Sequence, residues 1–147
     1  MKIEALDTAF RASSYRVETD DGIFELRIGV HDPAFDDFLL RQGVSCWGLL
    51  TAYNPGGIRC DDENPLRQMQ LLERLQRLGW TYRLACNVAD DGGWPAEPGF
   101  LLLQVSEKDV SSMAAEGMQT ATTVMRALAR EAQKLIREEA MKDEAYF

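Results

Sequence analysis

Two short runs of alternating apolar and polar residues flank an Asp-Gly corner near the start of the chain. In residues 14–19 (SYRVET), Tyr15 and Val17 alternate with Arg16 and Glu18. In residues 23–28 (IFELRI), Phe24, Leu26 and Ile28 oppose Glu25 and Arg27. A period of two predicts half-buried strands, and Asp20-Asp21-Gly22 between them predicts a hairpin. Gly22 can supply the positive φ that such a turn needs. The period then changes. Phe35, Phe38 and Leu39 stand at i, i+3, i+4 behind Asp32-Pro33. That spacing predicts a short helix capped by Asp32, opened by Pro33 and ended at Gly43. Cys46 to Ala52 is nearly continuous in apolar residues, which predicts a strand covered on both faces near the middle of a sheet. Asn54-Pro55-Gly56-Gly57 ends it.

A second helix starts within 61–65. Either Asp61 or Asp62 caps it, or Asn64 caps it with Pro65 at the first position. Leu66, Met69, Leu71, Leu72, Leu75 and Leu78 supply its three-and-four spacing, Glu63–Arg67 is an i,i+4 pair, and Gly79 stops it. Trp80 to Cys86 reads as a strand, and Asn87 to Pro98 as a loop broken by glycines and prolines. Phe100 to Val105 is a further apolar strand. Ser106 caps a helix carrying Val110, Met113 and Ala114, with Gly117 at its end. Gln119 to Val124 is a candidate last strand. A long helix from Met125 to about Lys142 carries a narrow stripe of Met125, Leu128, Ala132, Leu135 and Ile136. The expected order is β-β-α-β-α-β-β-α-β-α: an α+β fold, one domain over residues 1–147, a mixed β-sheet flanked by helices, with a long C-terminal helix.

Composition narrows the classes of function. The 147 residues carry a net charge of −8, which disfavours contact with nucleic acid phosphates. No apolar run is long enough to span a bilayer, and the first residues lack the apolar core of a signal peptide, so a cytoplasmic protein is expected. Cys46, Cys60 and Cys86 form no CxxC or CxxH pair and read as free thiols. No phosphate-binding glycine loop is present, so ATP-driven chemistry and a bound cofactor are not expected.

Several motifs in the middle of the chain resemble DUF3293, a family of small bacterial proteins of unknown function. They are Thr51-Ala52-Tyr53-Asn54-Pro55, Glu63-Asn64, Leu71, Leu72 and Leu75, Gly79-Trp80, Gly93-Trp94-Pro95-x-Glu97-Pro98, and Gln119-Thr120-Ala121. The resemblance runs over residues 13–124. The chain departs from the family pattern at Gly99, where Ser usually follows Glu-Pro. It also adds the helix over 125–142 beyond the point where the family usually ends. The resemblance implies the fold outline and no activity.

The same motifs gather polar residues at the ends of elements, where sheets with helices hold ligands. Thr51 and Asn54 end a strand, Glu63 and Asn64 open a helix, Trp94 and Glu97 lie in a loop, and Gln119 precedes a strand. Their bland reading is structural: turn formers, caps and a loop tie. Their functional reading is a binding module for a small polar ligand or a protein partner. The alternative is a small enzyme with Glu97 as general acid or base and Asn54, Asn64 and Gln119 positioning the substrate. A third reading makes the chain an oligomer subunit joined through its C-terminal helix. His31 stands far in sequence from every cysteine, which argues against a Cys/His dyad. Asp61, Asp62, Glu63, Asp90, Asp91 and Glu97 read as solvated turns rather than a magnesium site, and no metal is expected.

Overall fold

The chain folds around one five-stranded sheet in the order β2-β1-β4-β5-β3. The computed structural model describes residues 8–54 and 57–115. The strands are β1 (Ser13–Thr19), β2 (Gly22–Leu26), β3 (Trp47–Leu50), β4 (Thr81–Ala89) and β5 (Glu97–Leu103). The helices are α1 (Pro33–Arg41), α2 (Asn64–Leu78) and α3 (Glu107–Ala115), preceded by a helical turn over residues 8–11. Every strand pairing is antiparallel, so among the described residues the sheet is not the mixed one expected. The strand expected over 119–124 and the long helix over 125–142 lie outside the described residues.

The first hairpin forms as the alternation predicts. Thr19 pairs with Gly22 across Asp20-Asp21, and Gly22, at φ 107°, follows the turn rather than sitting at its centre. Asp32 Oδ1 accepts from the Phe35 backbone N–H at 3.1 Å, Pro33 stands in the first turn of α1, and Gly43 adopts φ 68°. Ser106 Oγ accepts from Asp109 N at 3.0 Å at the start of α3. The start of α2 differs from expectation. Glu63 occupies the N-cap with no capping bond from its side chain, and Asn64 turns its amide elsewhere. Of its apolar positions, Leu71 and Leu75 are buried, while Leu66, Met69 and Leu78 are exposed.

Register sorts the side chains between the two faces, because successive residues of a strand point oppositely. One face carries Val17, Phe24, Leu26, Trp47, Leu49 and Leu101. α1 packs on it through aromatic rings, with Phe35 5.4 Å from Phe24 and 5.2 Å from Trp47. The other face carries Leu50, Phe100, Leu102 and Tyr82. α2 approaches it, with Gln76 Nε2 donating to Tyr82 Oη at 3.3 Å and Gln68 Oε1 accepting from Ala52 N at 3.1 Å.

β3 is buried on both faces, as its apolar run requires, yet it is an edge strand. An apolar run reports cover above and below a strand; it carries no information about the neighbours beside it. The centre of the sheet is β4, whose sequence is more polar. β5 also begins earlier than the prolines suggest: Glu97 and Pro98 pair with Asn87 and Cys86. Pro98 is tolerated because β3 does not lie beside β5 until Leu50 meets Phe100.

Where β3 does draw alongside, the approach is close. A Cβ on Gly99 would stand 2.8 Å from the Leu50 carbonyl oxygen, which is backbone and cannot swing aside. Gly99→Ser is therefore expected to destabilise the fold by about 1–3 kcal/mol, measured as a lower urea midpoint with an unchanged slope. A midpoint equal to that of the wild type would show that β3 has room to move.

Candidate functional site

At one end of the sheet β1 starts, β4 ends, β5 starts and β3 ends. Beyond the last residue of β3 the chain turns sharply. Asn54 takes φ 48°, and its carbonyl accepts from Gly57 N at 2.9 Å. Asparagine is among the few residues other than glycine that adopt this left-handed conformation readily. The turn buries Asn54 to 4% exposure beside Asn64, which is 2% exposed at the first position of α2.

The two buried amides satisfy each other. Asn64 Oδ1 accepts from Asn54 N at 2.9 Å, and Asn64 Nδ2 donates to Asn54 Oδ1 at 2.8 Å. Asn54 Oδ1 also accepts from Cys60 N at 3.0 Å, and the Cys60 thiol donates to Asn64 Oδ1 at 3.1 Å. Asn54 Nδ2 is left to point onward, and it donates to Glu97 Oε1 at 2.8 Å. The Trp94 indole Nε1 donates to the same oxygen at 2.6 Å. Glu97 Oε1 thus holds two donors, while Oε2 takes none from the described residues.

Glu97 lines an open pocket of about 290 Å³ together with Thr51, Asn54 and Trp94. Its floor is the α1 face of the sheet, beyond the part that α1 covers. There Ala85 and Ala89 of β4 and Gly99 of β5 leave space that larger side chains would fill. Phe10 of the helical turn, Tyr15, Leu49 and Phe100 add apolar lining. Among the described residues the charged ones lining it are Asp91 and Glu97, both acidic. Arg59 stacks over the Trp94 ring at 5.9 Å while pairing with Asp61.

Of the residues singled out in the sequence, Thr51, Asn54, Trp94 and Glu97 come together. The Thr51 hydroxyl is already engaged: it donates to the Pro98 carbonyl at 2.7 Å and accepts from Tyr53 N at 3.1 Å. Asn64 stands behind the pocket as the support of Asn54, neither a cap nor a lining residue. Glu63 is exposed and pairs with Arg67 at 2.9 Å, away from the pocket. Gln119 lies outside the described residues. Sequence reasoning missed Asn87, which faces Glu97 across β4 and β5 and lines the pocket. Its only signal would have been that register, hidden because Asn87 reads as the start of a loop.

Other polar clusters are structural. Asp90 pairs with Arg27, whose guanidinium holds its carboxyl below the usual carboxylate range. Asp91 Oδ1 accepts from Gly93 N at 2.8 Å. His31 faces Asp36. Burial pushes the Cys86 thiol up, which lowers its thiolate fraction. Among the described residues no group of three His, Cys, Asp or Glu side chains could hold a metal ion. Nor is any described helix long and apolar enough to cross a membrane.

Comparison with known proteins places these residues in a family. Residues 50–122 match the model of DUF3293, a protein family of unknown function, and that stretch of the chain belongs to it. The match takes in the Asn54 turn, α2, β4, the Trp94 loop and β5. It leaves out the β1–β2 hairpin and α1. No curated protein and no solved structure matches the chain.

Removing the Asn54 amide leaves the Asn64 and Cys60 N–H groups without their acceptor. Asn54→Ala also forces a Cβ residue without local hydrogen bonds into the left-handed region. A loss of at least about 2 kcal/mol is expected on thermal or urea unfolding. Asn54→Gly relieves the backbone and not the amides, so it should lie between Ala and wild type. Equal stability of Asn54→Gly and wild type would refute the role given to the amide pair.

Proposed function

For this DUF3293 chain we propose a small-molecule binding module whose site is the pocket ended by Glu97. The observation that carries the reading is the Glu97 carboxylate, fixed through one oxygen by Asn54 and Trp94 and, among the described residues, unpartnered at the other. The two donors are side chains, Asn54 from the turn after β3 and Trp94 from three residues before Glu97 in the chain, and they set its orientation before any ligand arrives. Such preorganisation lowers the ordering cost of binding. The pocket is close to the lower end of the usual range for ligand sites, roughly 300–1,000 Å³, so the ligand is small. The apolar floor would bury the body of such a ligand, and Asn87 and Glu97 would read its polar end.

A second reading keeps the pocket and makes Glu97 a general acid or base. The free oxygen of Glu97 supports it, since a proton-transfer group must reach the substrate. The Ser13 and Thr51 hydroxyls that line the pocket already donate to the Ala9 and Pro98 carbonyls, which favours binding over acyl transfer through either of them. A cytoplasmic setting, and a partner or second copy engaged through the chain beyond residue 115, remain part of the proposal.

A ligand-observed NMR screen of neutral, cationic and anionic fragments tests the reading, with the Trp94 indole N–H signal as reporter. Hits are expected to shift that signal. Ala89→Phe, which fills the pocket from a partly exposed strand end, is expected to abolish them. Hits that survive Ala89→Phe, or an empty screen, would place binding elsewhere or nowhere.

A further inference from the structure

We infer that the pocket takes small amines: ligands with a protonated nitrogen at one end and a compact apolar body behind it. The inference rests on the binding reading above and gives it a ligand class. Its grounds are the unmatched charge and the unmatched hydrogen-bonding capacity of the pocket. Asp91 and Glu97 line it, and among the described residues no Lys, Arg or His does. Arg59, which does not line the pocket, pairs with Asp61 and lies over the face of Trp94. A carboxylate beside apolar walls is poorly solvated, and a cation that hydrogen-bonds to it offsets that cost. An anion would meet two like charges, and a neutral alcohol would leave the charge unanswered.

The atoms agree with the charge. Glu97 Oε1 already accepts from Asn54 Nδ2 and Trp94 Nε1. Oε2 accepts from none of the described residues and is open to an incoming donor. The Asn87 side chain, opposite Glu97 in the register, has no protein partner among the described residues and offers a carbonyl oxygen to a second N–H of the same nitrogen. An ammonium group has three donors and no acceptor, which suits the free Glu97 oxygen and the carbonyl end of the Asn87 amide. Behind it Ala85, Ala89 and Gly99 leave room for a ring or short alkyl chain over the sheet. The net charge of −8 also draws cations toward the whole molecule.

Three probes of similar shape test the inference by isothermal titration calorimetry on the wild-type chain: 2-phenylethylamine, 2-phenylethanol and phenylacetate. The amine is expected to bind at least about tenfold tighter than the alcohol, with phenylacetate weakest. This comparison needs no variant. Glu97→Gln then keeps a carbonyl oxygen for Asn54 and Trp94 and replaces the free acceptor by an amide donor. It is expected to weaken the amine at least tenfold and leave the alcohol nearly unchanged. Alcohol or phenylacetate binding as tightly as the amine would overturn the inference, as would undiminished amine binding to Glu97→Gln. If fragments of other classes bind the pocket and the amine does not, the ligand class is wrong and the binding module stands. If no fragment of any charge binds, both fall.

Discussion

Two buried asparagine amides, Asn54 and Asn64, hold this end of the molecule together. A polar group taken out of water must find a partner inside, and each of these finds the other. Their pairing fixes a left-handed turn to the start of a helix, with β3 entering on one side and α2 leaving on the other. The Asn54 NH2 group remains to donate, and its direction is set by the rest. It reaches Glu97, at the start of β5, so the orientation of the acid is inherited from the pair. Each amide is the condition of the other, and a chain that loses one strands its partner in a dry interior.

The pocket arises from a different constraint. A sheet packed by helices on both faces leaves no cavity where its side chains are large. Here Ala85, Ala89 and Gly99 stand together only because β4 and β5 pair in one particular register. Small residues elsewhere in the chain are commonplace. These become a hollow because α1 covers the aromatic end of the same face and stops short of them. The site thus combines a rigid polar rim, built by the asparagines, with an apolar floor built by omission.

Much of the fold was legible. The hairpin, the Asp32 and Ser106 caps and the Gly43 and Gly79 stops follow from local chemistry, and local chemistry is what a sequence displays. Errors arose where a pattern reports one direction only. The apolar run of β3 announced burial above and below and was misread as centrality. Asn64 looked like a cap because caps are asparagine's commonest duty near Pro65; its true partner lies ten residues upstream, across a turn. The prolines near Glu97 suggested a loop, although a strand with one free edge accepts them. Thr51, Asn54, Trp94 and Glu97 were visible as candidates from their motif. Asn87 and the alanines were not, because their meaning lies wholly in which strand faces which.

The long separation between Asn54 and Glu97 has a consequence for how the protein is made. Chains leave the ribosome from the N-terminus, and segments fold as they emerge. The β1–β2 hairpin and α1 can form early from neighbouring residues. The amide pair can close once Asn64 has emerged. The carboxylate follows only after α2 and β4, and until then Asn54 presents an N–H with nothing to receive it. Among the described residues β5 alone joins β3 to the rest of the sheet and also carries Glu97, so the strand that closes the sheet is the one that brings the carboxylate to Asn54.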